Sequence, residues 1–242
     1  MKINWVNAES TTADGNPTYI ILKHCVTWPF SHVAMIDTRN PDDIAVFIQK
    51  AYPAYLELRK FYNLDVAIDL CLDAKRETAY LETRGLAAVV LLDFLQQRYV
   101  SQYGFDQIMG GFGGQKSKEV RDHLRELILL SFPNIQDNSL KEMLDKIPEL
   151  NRRSYLNLLK LWTCHLGLKI PQQELELPRV RDTRHALAHR GEFTSADHQE
   201  KIREYYRVIN IIHQAFLKLL NYDGYFIHVD TDTLSFERQR LA

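Results

Sequence analysis

Cysteine is scarce in this chain of 242 residues: only Cys25, Cys71 and Cys164 are present, far apart and without a CxxC pair. That count excludes a disulfide framework or a zinc ribbon and fits a reducing compartment. Long apolar runs are missing too. The most apolar stretch, Leu86 to Leu92, falls far short of the roughly 20 residues that span a bilayer. The opening MKINWVNAES lacks the charged-then-apolar pattern of a signal peptide, so a cytoplasmic protein with no membrane association is expected. Nor is there an excess of one charge: 30 Lys and Arg face 31 Asp and Glu. No global pull toward nucleic acid or membrane follows, and any polyanion site must be a local basic cluster. Internal repeats and low-complexity tracts are absent. What remains is the composition of an ordinary globular protein, long enough for one large domain or one domain with a small appendage.

Two regions differ in pattern. Residues 1–40 are punctuated by Gly15, Pro17, Pro29 and Asn40, and Thr18 to Trp28 is rich in β-branched and aromatic residues, which predicts a strand. Residues 41–242 follow a helical period. Asp42 is placed to cap a helix running to Tyr62, with Pro53 as a kink or break. Further helices are predicted over Leu64 to Lys75, Thr78 to Tyr99, Lys118 to Phe132, Ser139 to Ile147 and Asn151 to Leu166. GLAAVVLLDFL, in the third of these, is apolar on almost every face and reads as the buried central helix. Gly104 to Ser117, with its GGFGG, reads as a loop. Ile202, Tyr205, Ile209, Ile212, Phe216 and Leu219 form an apolar stripe at alternating spacings of three and four, capped by Thr194 or Ser195. Such a stripe needs a facing helix, from this chain or from a second copy. Tyr225 to Val229 suggests a short terminal strand.

Chemistry concentrates in PRVRDTRHALAHRGEF, Pro178 to Phe193. Pro178 suits the first turn of a helix and Gly191 its left-handed C-terminal cap. Between them lie Arg179, Arg181, Arg184 and Arg190, with His185 and His189, and only Asp182 interrupts the positive charge. Arg181, His185 and His189 share a face at i, i+4, i+8. Arg184 and His189, five residues apart, lie about 140° apart around the axis, a gap that a long arginine or a two-fold partner can close. Arginine with histidine suits RNA cleavage, because RNA carries its own nucleophile in the 2′-hydroxyl. Histidine moves the proton near neutral pH, and arginine binds the phosphate as charge builds up. The bland reading is a solvated helix face with a histidine near its C-terminus.

RHALAH matches the R-x4-H signature of HEPN domains. HRGEF, together with LDVAIDLCLDA and YLETRGLAAVVLLDFL upstream, resembles the ApeA-like HEPN proteins associated with bacterial abortive infection. The resemblance covers roughly residues 42 to 222. It implies an all-α HEPN-type bundle, here with a small N-terminal β-containing segment, and a homodimer that pairs two motifs. It also implies metal-independent endoribonuclease activity on single-stranded RNA in antiviral defence or stress response. On that basis Arg184, His189 and His185 are the expected catalytic residues, and Arg181, Arg190 and Arg179 the expected RNA-binding ones. The chain departs from the pattern at His185, where asparagine or aspartate is frequent. It departs again at Gly191, where partnered toxins often carry a tyrosine. A non-catalytic module that binds RNA, a nucleotide or a protein partner is the second reading, since many family members have lost catalysis.

Other features carry competing readings. Asp93, within an apolar run, either pairs with a motif arginine or sits at the bundle surface. His185 and His189 could be metal ligands at i, i+4, but no HExxH glutamate and no third ligand accompany them, so neither metal nor cofactor is expected. GGFGGQKS fails the phosphate-loop pattern. Phe61, Tyr62, Tyr205 and Tyr206 suit base stacking or packing. Cys164 and His165 point about 100° apart on a helix, which disfavours a dyad.

Overall fold

The computed structural model describes residues 2–11, 17–26, 34–105, 115–146, 149 and 152–241, with the backbone alone for 2–11, 17–26 and 115–117. The chain is predominantly helical. Among the described residues there are eight helices: α1 Pro41–Tyr62, α2 Leu64–Ala74, α3 Leu81–Tyr103, α4 Gln115–Ser131, α5 Asp137–Asp145, α6 Tyr155–His165, α7 Gln173–Arg190 and α8 His198–Leu219. Strands β1, Lys2–Thr11, and β2, Pro17–Val26, pair antiparallel with Lys2 opposite Val26. Strands β3, Tyr225–Val229, and β4, Phe236–Arg240, pair antiparallel with Tyr225 opposite Arg240.

The sheet near the C-terminus packs on α8 through β3, which corrects the placing of the β-containing segment at the N-terminus and bears out the strand expected over Tyr225 to Val229. Its second strand, FERQR, has no apolar alternation and was not legible. Tertiary contacts hold it instead. Arg238 donates to both carboxylate oxygens of Asp43, at 3.0 and 2.7 Å, and its guanidinium lies 3.8 Å from the Tyr225 ring centre.

Several boundaries move for identifiable reasons. Asn40, not Asp42, caps α1: its side chain accepts from the Asp42 N–H, and Pro41 takes the first turn, where its missing donor costs nothing. Pro53 does not end the helix: α1 runs on to Tyr62, with Ala51, Ala54 and Tyr62 buried along one side. Asp197 caps α8 by accepting from the Glu200 N–H, in place of Thr194 or Ser195. Of the GGFGG loop, residues 106–114 lie outside the described residues, and α4 already begins at Gln115.

Helix α8 is the most continuously buried element among the described residues, and α3 is the most widely packed, meeting α1, α2, α6, α7 and α8. Every residue from Val208 to Leu217 is buried, and α8 packs against α3, α7 and β3. The stripe at Ile209, Ile212, Phe216 and Leu219 is thus covered within one chain, and Val208, Ile211 and Ala215 cover the other faces. In α3, by contrast, Leu86 and Val90 are 40% and 44% exposed. Helices α4 and α5 stand apart with their own small cluster, Leu140 and Leu144 against Val120, Leu124, Ile128 and Ile135. Tyr62, Tyr205 and Tyr206 belong to the main core, whereas Phe61 is exposed. No helix among the described residues is long and apolar enough to cross a membrane.

Buried His213 sits on α8, where burial above all holds its pKa well below the ordinary 6.5. Folded His213 is neutral while the unfolded chain protonates near 6.5, so protons favour the unfolded state as pH falls below that value. Denaturant unfolding should lose up to about 1.4 kcal/mol per pH unit in that window, and His213→Gln should flatten the slope. An unchanged slope in the variant would show that His213 is not the group responsible.

Candidate functional site

Helix α7 is set by what it buries. Leu177, Val180, Thr183, Ala186 and Leu187 face the core. The opposite side, with Arg181, His185, Ala188 and His189, is exposed. The helix starts a turn and a half before Pro178, because Glu174 and Glu176 suit the positive end of its dipole and Glu174 pairs with Lys160 at 2.5 Å. Gly191, at φ 72°, ends it in the left-handed conformation, its N–H donating to the Leu187 carbonyl.

The turn that follows is fixed by a carboxylate that the sequence analysis missed. Glu204 on α8 is buried. It accepts from Thr183 Oγ1 at 3.1 Å, from the Thr194 and Ser195 N–H groups at 3.0 and 3.1 Å, and from the Thr194 hydroxyl. Phe193, in the same turn, is buried against α3 at Gly85. A Cβ there would lie 2.6 Å from the Phe193 ring, so glycine is what allows α3 and the end of α7 to approach. The end of the motif helix is thereby held against both α3 and α8.

Arg184 lies at the edge of the exposed face, between α3 and α6. Its Nη2 donates to Asp93 Oδ2 at 2.7 Å and its Nε to the same oxygen at 3.0 Å. Of the two possibilities for Asp93, the structure contains the pairing with a motif arginine. The guanidinium also stacks 4.9 Å from the ring centre of Tyr155 on α6, a contact with no signal in the sequence. The Asp93 contact raises the Arg184 pKa further, keeping it cationic. Burial first and the Asp93 charge second push the Tyr155 phenol well above its usual range. The pair is about a quarter exposed, 27% for Arg184 and 19% for Asp93. Two of the five guanidinium N–H groups are committed to Asp93, which leaves the Nη1 edge for a ligand.

His185 and His189 stand side by side, ring centres 4.5 Å apart and planes tilted by 50°. The remaining basic residues disperse. Arg179 pairs with Glu176 at 2.7 Å and lines a cleft with Arg207, Asn210 and His228 rather than the motif face. Arg181 pairs with Asp182 at 2.7 Å. Of the four arginines, Arg190 alone has no carboxylate partner among the described residues. The basic cluster of the linear sequence is therefore largely neutralised, because Glu176 and Asp93 arrive from one turn away and from another helix. Among the described residues, no three His, Cys, Asp or Glu side chains converge as a metal site. His165 does not face Cys164 as a partner: its Nδ1 meets the Tyr99 hydroxyl at 2.6 Å, within a ring of Tyr99, Tyr103 and Phe105.

Glu204→Gln removes an acceptor charge and turns a donor toward buried N–H groups. It should cost about 1–3 kcal/mol of stability and speed amide exchange at Thr194 and Ser195. Wild-type exchange in the variant would mean that Glu204 does not hold the turn.

No family model matches the chain, and no curated protein or solved structure matches it either.

Proposed function

We propose that the chain is a metal-independent endoribonuclease acting on single-stranded RNA. The observation that carries this reading is an Asp93-braced Arg184 beside the exposed His185–His189 pair on one helix. His189 takes the proton from the 2′-hydroxyl, or returns one to the leaving 5′-oxygen. The 2′-oxygen attacks the adjacent phosphorus, the P–O5′ bond breaks with the 5′-oxygen leaving protonated, and a 2′,3′-cyclic phosphate is left. Arg184 offers its Nη1 edge to the phosphate as charge builds up. Asp93 and Tyr155 fix the guanidinium plane, which removes the entropy of positioning it. His185 assists or orients His189, and Arg190 with Arg181 meets the backbone.

A second copy supplies the complementary acid or base. The α8 stripe is buried within its own chain and is not available for that contact. Exposed Leu86 and Val90, at helical spacing from Asp93 on α3, offer an apolar face beside the motif. Light scattering should give twice the chain mass, and the double change Leu86→Glu, Val90→Glu should give a monomer with an unchanged melting temperature. A monomeric wild type at micromolar concentration refutes the paired site.

The binding-module reading keeps one observation of its own: three of the four motif arginines are already ion-paired, which suits a modest contact as well as catalysis. Cleavage should survive excess EDTA and fall roughly a hundredfold to ten-thousandfold in His189→Ala, with RNA affinity and melting temperature retained. Arg184→Lys should keep binding better than cutting, since lysine lacks the planar fork. A wild type that binds RNA without cutting it, with His189→Ala identical, selects the binding module.

A further inference from the structure

Away from the motif, α1 and α2 diverge to leave an apolar groove of about 430 Å³, the size of a small-molecule site. Helix α1 contributes Ile48, Ala51 and Tyr52, α2 contributes Ile68 and Leu72, and Phe216 of α8 lies in the floor. Ile48, Tyr52 and Leu72 are 58%, 58% and 63% exposed, so an apolar wall faces solvent.

One charged residue lines this groove, Lys75. It follows the last turn of α2 as its C-cap, one turn after Cys71, which lines the same groove. Among the described residues no carboxylate comes within ion-pair distance of it. Of the acids on α2, Asp65 pairs with Tyr55 at 2.6 Å and Arg59 at 2.9 Å, and Asp73 with Arg76 at 2.5 Å. An amine in apolar surroundings without a counter-charge is costly. Burial accordingly pulls the Lys75 pKa down, and a bound anion would relieve that cost. The charge sits at the end of the groove remote from the α1–α2 turn at Asn63, so an occupant meets apolar walls along its length and a cation at one end. A protein segment has no need of a lone cation at one end of an apolar groove, whereas a molecule with an alkyl body and one anionic head uses both features.

We propose that the groove binds an amphipathic monocarboxylate, a fatty-acid-like molecule whose alkyl chain lies between α1 and α2 and whose carboxylate meets the Lys75 ammonium. This inference is independent of the ribonuclease reading.

Calorimetric titration of the full chain with sodium decanoate and with 1-decanol tests it. Decanoate should bind one per chain, roughly tenfold to a hundredfold tighter than the alcohol, as expected of a charge-assisted contact in a poorly hydrated site. Lys75→Met should abolish the preference while keeping alcohol affinity, and Lys75→Arg should keep it, which separates loss of charge from loss of fold. Leu72→Glu, at the exposed rim, should weaken decanoate at least tenfold with no change in melting temperature. Equal affinity for acid and alcohol, an unchanged preference in Lys75→Met, or no binding at all would overturn the proposal; the last result would leave the groove to a protein segment or a second copy.

Discussion

Polar side chains enclosed on α8 are costly to leave unpaired, and those that find partners organise the segments around the helix; His213, whose ring nitrogens have no hydrogen-bond partner among the described residues, is the exception. Unpaired polar groups in such a place cost several kcal/mol at most and rarely less than about one. Three buried polar residues of α8 each bind a different non-helical segment. Glu204 takes the turn at Thr194 and Ser195. Asn210 gives and receives a hydrogen bond at Val229 on β3, at 2.7 and 3.0 Å. Gln214 accepts from the Lys169 N–H at 3.1 Å. The surface loops are thereby ordered from inside. Apolar burial gives α8 its place, and these hydrogen bonds fix what surrounds it.

The motif helix inherits its geometry from this arrangement. Its end is held by Glu204 and by Phe193 against Gly85, and its middle by Arg184 against Asp93 and Tyr155. The histidines are left as the exposed part of a rigid support. The exposed histidines and the half-buried, braced arginine are thus neighbours on one helix with different mobility. The cost of bracing is electrostatic, since Asp93 cancels much of the charge that would attract a phosphate from a distance.

Much of this was legible in the sequence. The helical order, the Gly191 cap and the β3 strand follow from periodicity and turn chemistry, because each is decided within a few residues. The burial of α8 was legible in principle: Val208, Ile211, Ala215 and Leu217 fall outside the single stripe, and a helix apolar on more than one face is an interior helix. The strict stripe taken alone predicts one covered face, met by a helix from this chain or from a second copy. Contacts made across long separations were not legible. Tyr155 reaches Arg184, and Glu204 reaches Thr183, through the fold rather than through spacing. Asp93 was recognisable as a carboxylate in want of a partner, although which arginine it meets depends on how α3 lies against α7.

The small cluster between α4 and α5 bears on how the chain comes apart. Two buried leucines and four half-covered neighbours make a hydrophobic unit far smaller than the one around α8, and the two units share none of these residues. Cooperativity extends only as far as shared burial. The α4–α5 pair should therefore open as a foldon of its own, at lower free energy than the bundle around α8.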